Sequence, residues 1–492
     1  MLLVVAAAAS VLALVFAGSG AAAVPAGQAC QTGASTSQIA GGGATLQTRA
    51  QVAWIQGYTA DVCGFVSGGP SFTISPINSF VTYNSVNDNS QTINPINGSG
   101  AGNTLTSCRM VPFSGTDTPY SNANLTNLDG NPGAQGGGNV WWTPGPATHC
   151  AGGSPNFNTY LDPFYGTAGN YPTLGTDAAS GDQPANVMSF PVSGTAVAVG
   201  VYFGASPPAA CPSTPQLTKA QISDLFGGFD TSWNQVFPGC NIAVRRDVRL
   251  DGSGTSQNFK NYLKAIFPLS SQGTTLCDGS STWTSVATTN TNNWPVGGSC
   301  STLITGHVNG NVGVLDDCAG VNGEAAVPGT ICYADLPDFE SSTYQNVAGF
   351  ETAELQAGAG GAFVDPLIGH HANCDFNTIT TPGPDQNGAV GLDPGDTWAT
   401  DNAGGVHENV WNRGTGWPAC ATTFDLVYSG LSQASGAASQ PNRALTDNMR
   451  RGLYSYILYI LNEGQALTPG IFYQSLPQGL LNLEISGFKA NY

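Results

Sequence analysis

Apolar runs and segments of helical period alternate along this chain, separated by Gly- and Pro-rich breaks. Val197–Phe203, Ile242–Val244 and Phe424–Val427 are short apolar runs and read as buried strands. The clearest helix begins near Ser253, where Phe259, Tyr262, Leu263, Ile266 and Phe267 recur at i, i+3, i+4, i+7 and i+8 on one face. Pro268 then stops it, having no N–H to continue the ladder. Further helices are predicted from about Leu46 to Tyr58 and from Ala444 to Asn462. Strands alternating with helices in this way predict an α/β fold with parallel strands. No tandem repeat interrupts the pattern. Two stretches carry no clear period, residues 122–184 and about 340–416, and read as loop-rich insertions on the surface.

The first residues change the picture of where this fold works. Leu2 to Ala23 is almost purely apolar and small, and it runs into Gly18-Ser19-Gly20-Ala21-Ala22-Ala23 ahead of Val24 and Pro25. That is the h-region and cleavage zone of a signal peptide, assigned here to residues 1–29, although no Lys or Arg precedes it. The other reading is a membrane anchor. No later stretch reaches the roughly 18 apolar residues that a spanning helix needs. Twelve cysteines, scattered without CxxC or Cys/His spacing, point to disulfides in an oxidising compartment. Cys30 follows Gly27-Gln28-Ala29, a poor lipidation signal, and is expected to be disulfide-bonded. The expected location is secreted, extracellular or periplasmic, with cell-surface attachment left open.

About 465 residues remain beyond the signal, enough for two or three domains. Asp and Glu number 31 against 13 Lys and Arg, a net charge of −18. That balance argues against nucleic acid and anionic membrane surfaces as partners. It leaves a small anion open, because a buried site works by local dipoles while distant charge is screened beyond about 8 Å.

Against this acidic background, five of the 13 basic residues fall between Arg245 and Lys264. The segment Arg249-Leu250-Asp251-Gly252-Ser253-Gly254-Thr255 leads from a strand through a Gly-rich turn into a helix. Such a helix start leaves backbone N–H groups unpaired at the positive end of the dipole, a ready anion site. Ser253 and Thr255 add hydroxyls, and Arg249 adds a planar charged fork. The bland alternative is a capped helix with Arg249 in a structural ion pair. Three weaker pieces precede it: a Gly-rich turn at Gly41–Leu46, a second at Gly98–Gly102, and Ser114–Pro119, in which Asp117 follows a strand end. Each alone is compatible with a linker or a turn.

Taken in order, GGGATL (Gly41–Leu46), GSGAG (Gly98–Gly102), SGTDTP (Ser114–Pro119) and RLDGSGT (Arg249–Thr255) resemble the binding loops of the phosphate-binding proteins that serve ABC phosphate importers. Supporting similarities lie at Leu217–Asn234, Trp294–Gly297, Trp417–Phe424 and Tyr473–Pro477. The resemblance implies a two-lobed Venus-flytrap fold with mixed sheets flanked by helices. Lobe I would comprise residues 30–190 and 421–492, and lobe II residues 191–420. It further implies that Thr45, the Leu46 N–H, Ser99 and Asp117 from lobe I, and Arg249, Ser253, Gly254 and Thr255 from lobe II, hold inorganic phosphate. Asp251 would orient Arg249. The implied partner is an importer permease, with a monomer expected and no cofactor, metal or catalysis.

The chemistry is coherent. Phosphate offers acceptor oxygens to the donors and at least one proton to Asp117, whereas sulfate would set a bare oxygen against that carboxylate. Leu46 stands where the family commonly has an aromatic residue, and Val86–Ile96 is inserted beside the Gly98 loop, which bears most on Ser99. Arg245, Arg246 and Arg249 leave open which guanidinium meets the anion. An enzyme is disfavoured, since the five histidines include only one pair, His370-His371, without metal-ligand or acid–base spacing. The remaining alternatives are a binding fold reused for adhesion or sensing, and a different protonated oxyanion such as arsenate.

Overall fold

The computed structural model describes residues 40–43, 45–61, 71–74, 113–116, 187–250, 253–266, 275–287, 294–296, 300, 310–376, 411–428 and 447–491. Its strands are β1 (Ala40–Gly43), β2 (Ser71–Ile74), β3 (Phe113–Thr116), β4 (Val187–Tyr202), β5 (Gln216–Leu217), β6 (Arg245–Arg246), β7 (Thr330–Asp335), β8 (Phe350–Thr352), β9 (Glu354–Gln356), β10 (Phe363–Val364), β11 (Leu367–Ile368), β12 (His371–Ala372) and β13 (Cys420–Tyr428). The principal helices are α1 (Thr48–Asp61), α2 (Lys219–Gly227), α3 (Gly254–Ile266), α4 (Gly310–Ala319), α5 (Leu336–Phe339), α6 (Asp447–Leu461) and α7 (Gln478–Asn491).

The architecture is a two-lobed α/β fold organised around one long strand. β4 runs for 16 residues, and every residue from Pro191 to Val201 is buried, as a strand covered on both faces requires. Its first part pairs antiparallel with β13, from Val187↔Tyr428 to Ala196↔Cys420. Its last part pairs antiparallel with β7, from Val197↔Asp335 to Tyr202↔Thr330. The switch between partners falls at Ala196/Val197. On one side the order runs β2-β1-β3-β13-β4, with β1, β2 and β3 parallel; on the other it runs β4-β7-β6, with β8 also on β4. The sheets are therefore mixed, as the resemblance implied: β1, β2 and β3 pair in parallel, while the strands that join the two lobes are antiparallel. Pro191, which cannot donate to a ladder, is accommodated where the register shifts opposite Thr423/Phe424.

Local chemistry explains the element ends. Thr218 caps α2, its side chain accepting from the Gln221 N–H while Gln221 reaches back to the Thr218 N–H. The apolar face expected of α3 is buried through Phe259, Tyr262, Leu263 and Ile266. The strand expected at Ile242–Val244 lies slightly later in the chain. Ala243 makes only an isolated bridge with Ser232, and pairing with β7 begins at Arg245. Gly194 allows β4 to pass directly beneath Phe376, where a Cβ would lie 2.0 Å from the ring. The described part of the 340–416 stretch holds β8 to β12 on short connections, and residues 122–184 lie outside the described set.

Among the described residues, four disulfides join Cys211 to Cys240, Cys277 to Cys300, Cys318 to Cys332 and Cys374 to Cys420. Cys318–Cys332 fastens α4 to β7, and Cys374–Cys420 ties one insertion to the start of β13. Cys30 and the other three cysteines fall outside the described residues, as does the apolar N-terminal segment. Among the described residues no helix is long and apolar enough to cross a membrane.

Two interior carboxyl groups make stability depend on pH. Burial, and then the neighbouring Asp317, push Asp247 up to about 9. Burial pushes Asp425 up to about 7, against the opposing hydrogen bonds from Gln47 and Gln51. Both would ionise near about 4 in the unfolded chain. The native state therefore binds the protons more tightly, and this contribution to stability is complete below about pH 4. It is lost as pH rises through about 7 for Asp425 and about 9 for Asp247. The melting temperature is expected to fall between pH 5 and pH 9. Asp247→Asn, which mimics the protonated form, should flatten the upper part of that fall by several degrees. Parallel wild-type and variant profiles in calorimetry would refute the assignment.

Candidate functional site

The start of α3 is built around one tyrosine hydroxyl. Ser253, almost fully buried, accepts the Ser256 N–H on its Oγ at 3.1 Å, closing the first turn. The Ser256 hydroxyl lies 2.5 Å from the Tyr333 hydroxyl, and the Arg249 N–H donates to the same hydroxyl at 3.4 Å. Tyr333 stands on β7, fully buried and stacked on Phe259, with ring centroids 4.7 Å apart. One rigid strand residue thus sets both the strand-following loop and the helix start. Ser253, Gly254 and Thr255 form this helix start, and the Arg249 backbone is tied to it through the Tyr333 hydroxyl.

Thr255 is the most informative member of this group. It is fully buried, and its Oγ1 has no hydrogen-bond partner within the protein. A buried hydroxyl of this kind costs free energy unless something satisfies it. It sits in the first turn, where backbone N–H groups also lack helical acceptors. A hydrogen-bonding group placed at this helix start would meet both the hydroxyl and the N–H groups.

The structure also separates the three arginines. Arg245 is exposed. Arg246 is fully buried, donating through Nη1 to the Phe226 carbonyl at 2.7 Å and through Nη2 to the Pro295 carbonyl at 2.9 Å. Its burial lowers its pKa to about 10, so it remains charged and is used as a structural tie. Arg249 is the arginine of the α3 entrance. Its Nη1 donates to Asn311 Oδ1 at 3.2 Å, an amide on α4.

In the N-terminal part of the chain, Thr45 and Leu46 lie in a 3-10 turn, Thr45–Gln47, that leads directly into α1. Leu46 is fully buried and its carbonyl accepts a hydrogen bond from the Tyr473 hydroxyl. Gln47 Nε2 donates to Asp425 Oδ1 at 2.7 Å, and Gln51 Nε2 donates to the same oxygen at 3.1 Å. Tyr456 in turn donates to Gln51 Oε1 at 2.6 Å. This buried network fixes the turn to β13, next to β3, whose last residue, Thr116, precedes Asp117. Asp117 itself, Ser99 and Asp251 lie outside the described residues. Sequence reasoning did not identify Tyr333, Asn311, Gln47 or Asp425, because no short motif surrounds them. Their partners are hundreds of residues away in the case of Gln47 and Asp425.

No metal-binding group of three or more His, Cys, Asp or Glu occurs among the described residues. What the described residues offer is a cluster of donors at a helix start.

The fold is of the two-lobed periplasmic-binding-protein type. No family model matches the sequence, and no curated protein matches it. Solved structures are similar over nearly the whole chain. A human phosphate binding apolipoprotein is 16% identical with a TM-score of 0.51, covering 90% of this chain and 93% of that one. The high affinity periplasmic phosphate-binding protein PfluDING is 15% identical with a TM-score of 0.50, covering 92% and 97%. A phosphate-binding protein from Stenotrophomonas maltophilia is 14% identical with a TM-score of 0.50, covering 91% and 93%. At these identities the likeness is one of fold.

The division of labour among the arginines is testable by unfolding. Arg246→Lys keeps the charge but loses the two-pronged donor geometry. It is expected to lower the unfolding free energy by about 2 kcal/mol. Arg245→Ala, at an exposed position, should stay within about 0.5 kcal/mol of wild type. Equal losses in urea titrations would contradict the tie assigned to Arg246.

Proposed function

We propose that this chain is an exported solute-binding protein that captures inorganic phosphate between its lobes and hands it to an ABC importer. The single observation that carries the reading is the buried, unpartnered Thr255 hydroxyl at the start of α3, in the same short segment as Arg249. Support also comes from three similar folds that are phosphate-binding proteins and from the ordered loop resemblances in the sequence.

On this reading lobe I comprises residues 30–190 and 421–492 and lobe II residues 191–420. Thr45, the Leu46 N–H, Ser99 and Asp117 face Arg249, Ser253, Gly254 and Thr255 across the cleft, and Asp251 steadies Arg249. Donors meet the phosphate oxygens, and Asp117 accepts the proton that phosphate retains at neutral pH. Hydrogen bonds to charged groups contribute about 1.5–3 kcal/mol each. Several such bonds suffice for tight binding without a metal or a covalent step, and the role is binding, not catalysis.

Calorimetric titration of the ligand-stripped protein tests this. Tight one-to-one binding of phosphate, with sulfate bound far more weakly, is expected. Arg249→Ala should weaken phosphate binding by roughly tenfold to a hundredfold. Asp117→Asn should erode discrimination against sulfate more than it erodes phosphate affinity; equal losses for the two anions would sink the proton-reading role. Absence of binding by any oxyanion would sink the proposal and leave adhesion or sensing as the use of the fold.

A further inference from the structure

A chain of polar contacts joins the phosphate-side arginine to the opposite lobe. Arg49 lies on α1, which packs against β2 and α6 in lobe I. Its guanidinium reaches across to Asp338 on α5, with Nε and Nη2 each 3.1 Å from Oδ1. Helix α5 packs on β4 and β7. The other carboxylate oxygen, Oδ2, lies 3.5 Å from Asn311 Nδ2. That amide nitrogen also donates to Asp335 Oδ1 at 2.6 Å. Asn311 Oδ1 accepts from Arg249 Nη1.

These contacts leave Asn311 one orientation. Its oxygen must face the guanidinium and its NH2 must face the two carboxylates, because a flipped amide would oppose like partners on both sides. Asn311 is nearly fully buried. Its helix is held to β7 by the Cys318–Cys332 disulfide, so the amide has little room to yield. Its oxygen meets Arg249 while its NH2 meets Asp335 and Asp338, so the amide stands between the guanidinium and these two carboxylates.

We infer that Arg49 and Asp338 form a latch between the lobes, and that Asn311 is a positioning residue coupling this latch to Arg249. The inference rests on the reading of the cleft as a phosphate site. Two carboxylates near Arg249 oppose an incoming anion. Closure brings the Arg49 charge onto one of them, so the anion and the closed cleft favour each other. Arg49 is 44% exposed and the Asp338 side chain 19%, which makes the pair a modulator of closure and not its main source.

Stopped-flow phosphate release and calorimetry on the full mature chain test the latch. Arg49→Gln is expected to speed release about threefold to fivefold, and Asp338→Asn less, because it removes an opposing charge together with the contact. The double variant should release no faster than the faster single one, since both remove the same contact. Arg49→Lys should restore most of the wild-type rate. Asn311→Leu should weaken phosphate binding about tenfold or more, and in that background Arg49→Gln should add little. Wild-type release rates in both single variants, or fully multiplicative effects in the double variant, would overturn the latch while leaving the phosphate site standing. If wild type binds no phosphate, the functional reading fails instead. Solution scattering then decides the latch: a larger radius of gyration for Arg49→Gln than for wild type supports it, and superimposable profiles overturn it.

Discussion

One strand has to serve two sheets, and most of the molecule follows from that requirement. β4 gives its first part to β13 and its last part to β7, changing partner at Ala196/Val197. A strand that does this must be buried on both faces and must tolerate close approach, hence its apolar run and Gly194 beneath Phe376. The chain returns beside the same point. Trp417 is buried there with its indole N–H donating to the Val197 carbonyl at 3.0 Å, and the Val197 N–H donates to the Ala419 carbonyl at 2.8 Å. Any movement of the lobes has to be absorbed close to these two crossings, because the ladders on either side are continuous. Hinge bending at a few residues of this kind is the usual way in which two packed bodies move without repacking their interiors.

The same switch point organises the polar chemistry. Asp335 pairs with Val197 at the first residue of the second ladder, and α5 begins immediately after it. Asp335 and Asp338 therefore lie at the crossing, and Asn311 bridges them to Arg249. A chain with a net charge of −18 is an unpromising anion receptor when judged by its total charge. On the proposed reading the total is the wrong quantity. Around α3 the local elements are a helix start, hydroxyls and a guanidinium with one neutral amide between it and the acidic pair. Short-range dipoles of this kind dominate where water is excluded, while the surface charge is screened.

Sequence legibility followed contact distance. α1, α3 and α6 were readable because period and caps are local properties, and the α3 entrance was readable because Arg249, Ser253, Gly254 and Thr255 lie within seven consecutive positions. The antiparallel joining strands were not readable from alternation, since pairing partners such as Val187 and Tyr428 are distant in sequence. Arg246 and Arg249 look alike in the sequence, and burial against the Phe226 and Pro295 carbonyls separates them. Asn311, Asp338 and Asp425 carried no signal at all. Each is an ordinary residue whose role exists only once two distant elements meet.

The magnitudes then fix which contacts govern closure. A hydrogen bond to a charged ligand contributes about 1.5–3 kcal/mol, whereas an exposed ion pair contributes about 0–1 kcal/mol. On the proposed reading a bound oxyanion with several donors outweighs the Arg49–Asp338 pair severalfold. The ligand therefore dominates closure, and the pair shifts the balance between open and closed cleft by a few fold at most. That ordering suits a carrier that has to release what it binds. A latch strong enough to hold the lobes without ligand would close an empty cleft and slow capture. Keeping Arg49 partly in water, and anchoring only Asp338 and Asn311 in the protein, holds the contribution in the range where it tunes release and does not replace the ligand.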